Sequence, residues 1–383
     1  MKNKRDFIPV NEPAISVEGK NNVKEALRTG WISSSGEYIK EFEEKFAKYI
    51  GVGYAMSTNS GTASLHLATA TLGIKDGDEV IVPAFTMGAT WLSIIYTGAK
   101  PVFVDCERDT YNINPSLIEE KITKKTKAIM VVHIYGHPAE MDAILQIAKK
   151  HKLFVIEDAA EAHGAEYKGR KCGSFGDFGC FSFYANKIIT TGEGGMAVTN
   201  NKAFAQRARK LKSYYFSDEK RFIHEKIGFN YQMTNMQAGL GLGQLKHIRN
   251  YIKKKRHMAS LYKKYLSDIP GLDLPKTKSA CKNVFWMYAV CIREKEFGLK
   301  RGQLRDELSL QGVETRDFFY PPTDQPFLKN YLKADDFFPN AHFISRNGLY
   351  LPSSLTITDK QILRIANTIS NIYNRVGSNR RRK

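Results

Sequence analysis

The chemistry of this chain gathers around one amine. In FSFYANKIITTGEGG (181–195) a single lysine, Lys187, stands between a short apolar run and a glycine-rich segment. Phe181 to Tyr184 read as a buried strand, and Gly192, Gly194 and Gly195 permit conformations and close approaches that a Cβ would block. A lysine held between them is half desolvated. Desolvation lowers an ammonium's pKa, and the neutral amine is the form that attacks an aldehyde. Alone, the same lysine would read as a surface residue at a strand end, so its company elsewhere decides.

Three other places supply that company. Asp158 closes the apolar run LFVIED (153–158); there it can cap the next helix, or keep a cofactor's pyridine nitrogen protonated so that the ring acts as an electron sink. Asn59 to Ala63 form a small polar turn that opens a helix. Its N–H groups and the positive end of the helix suit a phosphate, although an ordinary Ser/Thr cap reads the same way. Ser182, on an alternating strand, either presents its hydroxyl to the same pocket as a phosphate ligand or bonds locally.

The elements that must position these groups follow from hydrophobic period. Between residues 60 and 200, Val- and Ile-rich strands at 78–83, 100–105, 128–136, 153–158, 180–184 and 195–200 alternate with helical patterns at 63–72, 88–96, 115–122 and 139–151. That alternation predicts an α/β fold with a mainly parallel central sheet covered on both faces, whose ligands gather at the carboxyl ends of the strands. Helices are expected over 201–212 and, as one long element, over 236–265. Beyond Gly271 the elements shorten, which divides the chain into an N-terminal arm (1–20), a large domain (21–255), a smaller C-terminal α+β domain (256–375) and a basic, solvated tail (376–383).

Composition bounds the function. Of 383 residues, 42% are hydrophobic and 25% charged, as in ordinary globular proteins. No apolar run approaches the roughly 20 residues needed to cross a bilayer, and the N-terminus lacks the apolar core of a secretory signal. Five widely spaced cysteines with no CxxC pair argue for reduced thiols and against a disulfide framework or zinc site. A soluble, cytoplasmic protein without membrane attachment is expected. The net charge of +19 is dispersed, with clusters at 253–256 and 379–383, which argues against a nucleic-acid surface and fits an anionic small substrate or merely a lysine-rich proteome. His133, His137 and His163 match no metal-ligand spacing and read as structural, so no metal is expected.

Seven ordered segments together resemble one family: TGWISSSG (29–36), NSGTASLHLA (59–68), VPAFTM (82–87), HIYGHPAEMD (133–142), EDAAEAHGA (157–165), SFYANKIITTGEGG (182–195) and GFNYQMTNMQAG (228–239). They resemble the DegT/DnrJ/EryC1/StrS sugar aminotransferases that use pyridoxal 5′-phosphate (PLP). The resemblance spans about residues 7 to 354 and implies fold type I, the aspartate aminotransferase-like fold. It also implies that Lys187 anchors PLP, Asp158 partners the pyridine nitrogen, Glu161 lies near the phenolic oxygen, and Thr62, Ala63 and Ser182 bind phosphate. Many relatives carry Gln in place of Glu161. Met87 replaces an aromatic that covers the ring in many relatives, and a thioether can cover a ring face too. Asn230 is implied to reach the phosphate of a second subunit, which makes a homodimer with shared sites.

The resemblance further implies L-glutamate as amino donor and a nucleotide-diphospho keto sugar, on UDP, dTDP or GDP, as acceptor. TTGEGG after the lysine is similar to the branch that aminates C4 of 4-keto-6-deoxy sugars, and the opening motif and VETRDFFYPP (313–322) look most like perosamine and viosamine synthases. Trp31, Ser33 and Ser34 would line the sugar pocket. Arg316 would lie near the sugar nucleotide or form a structural ion pair. The alternatives are amination at C3, dehydration, which goes with histidine in place of the lysine, and a non-catalytic relative, which is expected to lose Lys187 or Asp158.

Overall fold

The computed structural model describes residues 7–220 and 222–381, with side chains through 378. Its centre is a seven-stranded sheet built from β1 (Tyr54–Thr58), β2 (Glu79–Pro83), β3 (Lys100–Val104), β4 (Thr126–Val132), β5 (Phe154–Asp158), β8 (Phe178–Ser182) and β9 (Gly195–Thr199); the two-residue strands β6 (Glu166–Tyr167) and β7 (Arg170–Lys171) form a hairpin that Cys281–Lys282 extends to a separate three-stranded sheet. The order is β1-β9-β8-β5-β4-β2-β3. Every pairing from β8 through β3 is parallel, and β9 runs against both neighbours. Such strands are buried on both faces, which is why β4 reads TKAIMVV without alternation.

Eight helices precede the second sheet: α1 (Val17–Thr29), α2 (Glu37–Ile50), α3 (Gly61–Thr71), α4 (Gly88–Ile95), α5 (Met141–His151), α6 (Lys202–Leu211), α7 (Asn235–Lys246) and α8 (Ile248–Leu266). α7 is glycine-rich because α1 crosses it at backbone distance: a Cβ on Gly243 would lie 2.1 Å from the amide nitrogen of Gly19. α3 is buried almost all round, so its apolar residues form no single stripe.

Beyond α8 a four-stranded sheet in the order 272–273, 288–292, 348–351 and 316–317 packs against the helices Arg301–Leu310 and Asp359–Arg381. α8 links the two cores. Ile248, Tyr251 and Ile252 face the first, and Met258, Tyr262 and Leu266 the second.

Three expectations change. The helix predicted over 236–265 is two helices meeting at His247 (φ −100°, ψ 1°), whose Nε2 is held 2.9 Å from Glu18. The helix predicted over 115–122 is a pair of 3₁₀ turns; of that segment only Ile118 is buried, too little apolar stripe to hold a regular α-helix. The tail read as solvated continues the last helix through Arg381, because Ile362, Ile365, Ile369 and Ile372 give that helix a buried face to grow from. The ends of the predicted arm and tail, 1–6 and 382–383, lie outside the described residues. In the rest of the arm, Ile8 bridges to Val313. No helix among the described residues is long and apolar enough to cross a membrane.

Candidate active site

The parallel register sends the ends of β4, β5 and β8 to one edge of the sheet, and the polar residues that follow them meet there. Asp158, the last residue of β5, is 5% exposed. Its Oδ2 accepts from Thr90 Oγ1 on α4 at 2.8 Å, and its Oδ1 from the amide of Ala160 at 3.1 Å. Thr90 is held in turn by Thr86 at 2.8 Å. Burial pushes the Asp158 carboxyl up, and the bonds from Thr90 and Ala160 and the nearby Lys187 ammonium oppose it.

Glu161 lies in the loop after β5, equally buried. Its Oε2 accepts from the amide of Tyr135 at 2.7 Å, and its Oε1 is 3.8 Å from Lys187 Nζ. Tyr135 holds φ 55°, a left-handed conformation that non-glycine residues adopt at a cost and that here aims its N–H at the carboxylate. Burial raises the Glu161 carboxyl to about 7, with Lys187 pulling the other way.

Lys187 sits in the turn after β8, its amide donating to the carbonyl of Tyr184 at 2.9 Å. The side chain is 11% exposed. Burial lowers its pKa, and Glu161 and Asp158 hold it up. The amine also lies over the indole of Trp286, 3.8 Å from the ring centroid. This is the half-desolvated lysine expected from the sequence, now with named walls.

The phosphate-type turn is assembled by a glycine. A Cβ on Gly61 would lie 2.7 Å from Cβ of Ser182, so its absence lets the first turn of α3 close on the end of β8. Ser60 caps α3, its Oγ accepting from the amide of Ala63 at 3.1 Å. The Ala63 N–H is therefore already engaged, and the N–H groups of Gly61 and Thr62 are the helix-terminal donors left for an anion. Ser182 is buried beside them, its Oγ accepting from the amide of Tyr184 at 3.3 Å. A phosphorylated pyridine aldehyde fits this set: an amine for the aldehyde, a locked carboxylate for the ring nitrogen and a helix terminus for the phosphate.

The remaining candidates lie apart from that cluster. Met87 caps α4 three residues before Thr90 and is 56% exposed. Asn230 is exposed, with its backbone beside the α3 turn: its carbonyl accepts from Asn59 Nδ2 at 3.4 Å. Trp31, Ser33 and Ser34 lie in the segment after α1, where Asn235 holds the carbonyls of Trp31 and Ser33, each at 2.7 Å. Among the described residues no hydrogen bond or ion pair joins the three to Lys187, Asp158 or Glu161. Arg316 pairs across the small sheet with Tyr350 and lies 3.8 Å from Glu314.

The histidines are locked into structure. The Ala139 amide donates to His133 Nδ1, which leaves Nε2 to donate to Glu157 at 3.0 Å. His137 bonds Asn112 and Pro138. His163, between Phe181 and Phe183, is lowered to about 3, chiefly by burial. No cluster of three or more His, Cys, Asp or Glu among the described residues could hold a metal ion.

Thr90, Tyr135 and Trp286 went unread in the sequence because neither spacing nor period marks them. A cleft of about 1130 Å³ lies elsewhere, between α2 and α8, and is lined by Lys45, Lys48, Lys171, Arg249 and Lys253 among others. It collects surface charge, whereas the buried carboxylates Asp158 and Glu161 and the strand ends gather around Lys187.

The model of the DegT/DnrJ/EryC1/StrS aminotransferase family matches residues 13–370. GDP-perosamine synthase of Escherichia coli O157:H7 is 43% identical over 368 residues, covering 96% of this chain and 99% of that protein. GDP-perosamine synthase of Vibrio cholerae is 38% identical over 368 residues, covering 96% and 100%. The dTDP-3-amino-3,4,6-trideoxy-alpha-D-glucose transaminase of Streptomyces venezuelae is 35% identical over 343 residues, covering 89% and 88%. A crystal structure of DesI in the presence of its TDP-sugar product superposes with a TM-score of 0.90 at 29% identity, covering 100% of this chain and 97% of that one.

Proposed function

The chain belongs to the DegT/DnrJ/EryC1/StrS aminotransferase family, and from that premise we propose that it carries an amino group from L-glutamate to C4 of a GDP-linked 4-keto-6-deoxyhexose, giving a perosamine-type 4-amino-4,6-dideoxy sugar. It is a PLP-dependent aminotransferase of nucleotide sugars. The position, the nucleotide, the donor and the residue roles are our reading. The observation that carries it is the 43% identity to a GDP-perosamine synthase across 96% of the chain.

When bound, PLP supplies an electron sink for the charge that develops on the carbon bearing the amino group. Lys187 would hold it by its amine, Thr62, Ser182 and the first N–H groups of α3 would hold its phosphate, and Met87, at the start of α4, would lie against it. Asp158, fixed by Thr90 and Ala160, would face the ring nitrogen and hold the proton there. Glu161 would lie by the phenolic oxygen. Lys187 Nζ takes the proton from Cα of the donor and later delivers one to C4 of the sugar, and its lowered pKa leaves it ready to act as a base. Trp31, Ser33, Ser34 and Arg316 contact the sugar nucleotide.

Two copies complete each site, with Asn230 of one reaching the phosphate held by the other. The 60% exposure of Trp31 and 86% exposure of Ile227 support such an interface. Residues 21–255 form the cofactor-binding unit and 256–375 the smaller one, with 1–20 and 376–383 as arm and tail. The enzyme works in the cytoplasm. A second reading, amination at C3, is favoured by the 35% identity to a 3-amino sugar transaminase.

The test is turnover. Purified protein with PLP and glutamate is given GDP-, dTDP- and UDP-linked 4-keto-6-deoxyhexoses, with 2-oxoglutarate, product mass and NMR as readouts. Amine at C4 of the GDP sugar is expected. Amine at C3 transfers the reading to the alternative, and no turnover with any of them removes both.

A further inference from the structure

The indole that faces Lys187 is fixed more firmly than a packing residue needs. Trp286 is tied at three points: its amide donates to the carbonyl of Tyr135 at 2.9 Å, its Nε1 donates to the carbonyl of Asn186 at 2.8 Å, and its own carbonyl accepts from Lys255 Nζ at 2.9 Å. Asn186 immediately precedes Lys187, so the ring is bolted to the turn that carries the amine. Lys255 is a wholly buried lysine on α8 whose other hydrogen bond goes to the carbonyl of Ser353. Neither residue is explained by the chemistry assigned above.

We propose that the face of Trp286 is the seat on which Lys187 Nζ rests when it is a free amine carrying a proton, and that Lys255 is the positioning residue that holds this seat in place. The inference rests on the reading of Lys187 as the anchoring and proton-carrying amine. Such an amine gains one proton when it deprotonates the donor carbon and gives that proton up again, so between the two events it is an ammonium in an almost closed site. Glu161 at 3.8 Å stabilises that charge from one side, and the negative face of an aromatic ring does so from the other. A further carboxylate in place of the ring would hold the proton too firmly to return it. An indole stabilises the cation without accepting the proton.

The groups that face Lys187 are few. Asp158 and Glu161 come from β5 and the loop after it, and His163, from the same loop, is held neutral by burial. The segment bearing Trp286 offers the ring. A change confined to the ring therefore reaches Lys187 while leaving these titratable groups in place.

The experiment replaces Trp286 site-specifically by mono-, di- and trifluorotryptophan, which weakens the ring's negative face stepwise and leaves its shape nearly unchanged. The holoenzyme is converted by glutamate to its amino form, in which Lys187 is free, and the pKa of Lys187 is measured by competitive trace acetylation and mass spectrometry. The pKa is expected to fall with each fluorine, by about one unit in total. The Lys255→Met variant lowers it similarly, and Lys255→Gln, which keeps a donor, restores most of it. A Lys187 pKa that ignores the fluorine count overturns the proposal; if Lys255→Met does not fold, the fluorine series and Lys255→Gln decide. Failure of the underlying reading looks different: the Lys187→Ala variant would then keep the wild-type absorbance of bound PLP.

Discussion

Thr90 and Asp158 stand 68 positions apart in the chain, and the hydroxyl of one donates to the carboxylate of the other at 2.8 Å inside the sheet edge. With the Ala160 amide on the second oxygen, both carboxylate oxygens are occupied from the protein side. Burial favours the neutral acid, and these bonds favour the anion that a pyridine nitrogen requires.

Asp158→Asn is therefore expected to lower kcat on the order of a hundredfold or more, with PLP still bound through Lys187. Thr90→Val removes one bond to a charged group and is expected to cost about tenfold. Steady-state kinetics on both variants, with bound PLP quantified by absorbance, check the pair. Equal losses would mean that Thr90 does more than orient the carboxylate.

Gly61→Ala tests the closure of α3 onto β8. Its new Cβ would meet Ser182 at 2.7 Å, and overpacking of this kind costs about 1–3 kcal/mol. The phosphate end of the site should suffer first, so the variant is expected to release PLP on dialysis faster than wild type and to melt at lower temperature. Unchanged retention of PLP would place the phosphate away from Gly61 and Ser182.

Lys255 makes stability depend on pH. Burial lowers its pKa to about 7 from an ordinary 10.5, so between those values the unfolded chain binds a proton that the folded chain does not. Stability from this group therefore rises as pH increases from 7 to 10.5. Urea unfolding at pH 7 and pH 9 should show wild type gaining on Lys255→Met at the higher pH. Parallel changes in the two proteins would show that Lys255 is charged in the folded state.

The proposed sharing of sites between two copies predicts complementation. Lys187→Ala and Asn230→Ala are each expected to be impaired, and mixed dimers formed by unfolding and refolding the two together should recover activity, because one of their two sites has both residues intact. No recovery beyond the parent variants would place Asn230 in the site of its own chain.

The sequence by itself determined the elements and the kind of chemistry. Period and β-branched runs fix strands and helices locally, so the mainly parallel sheet was legible, as was a partly desolvated lysine between an apolar strand and glycines. Asp158 was legible because a carboxylate at a strand's end is marked by position. Only the tertiary structure decided what surrounds the amine. Trp286 lies 100 positions from the Asn186 carbonyl it bonds, Thr90 belongs to another βα unit, and Tyr135 reaches Glu161 through a positive φ. It also decided that His247 breaks the helix predicted over 236–265 and that the Ala63 amide is taken by Ser60. The physical reason is the same in each case: periodicity reports which face of an element is apolar, whereas a contact between distant elements depends on packing and strand register, which no local spacing encodes.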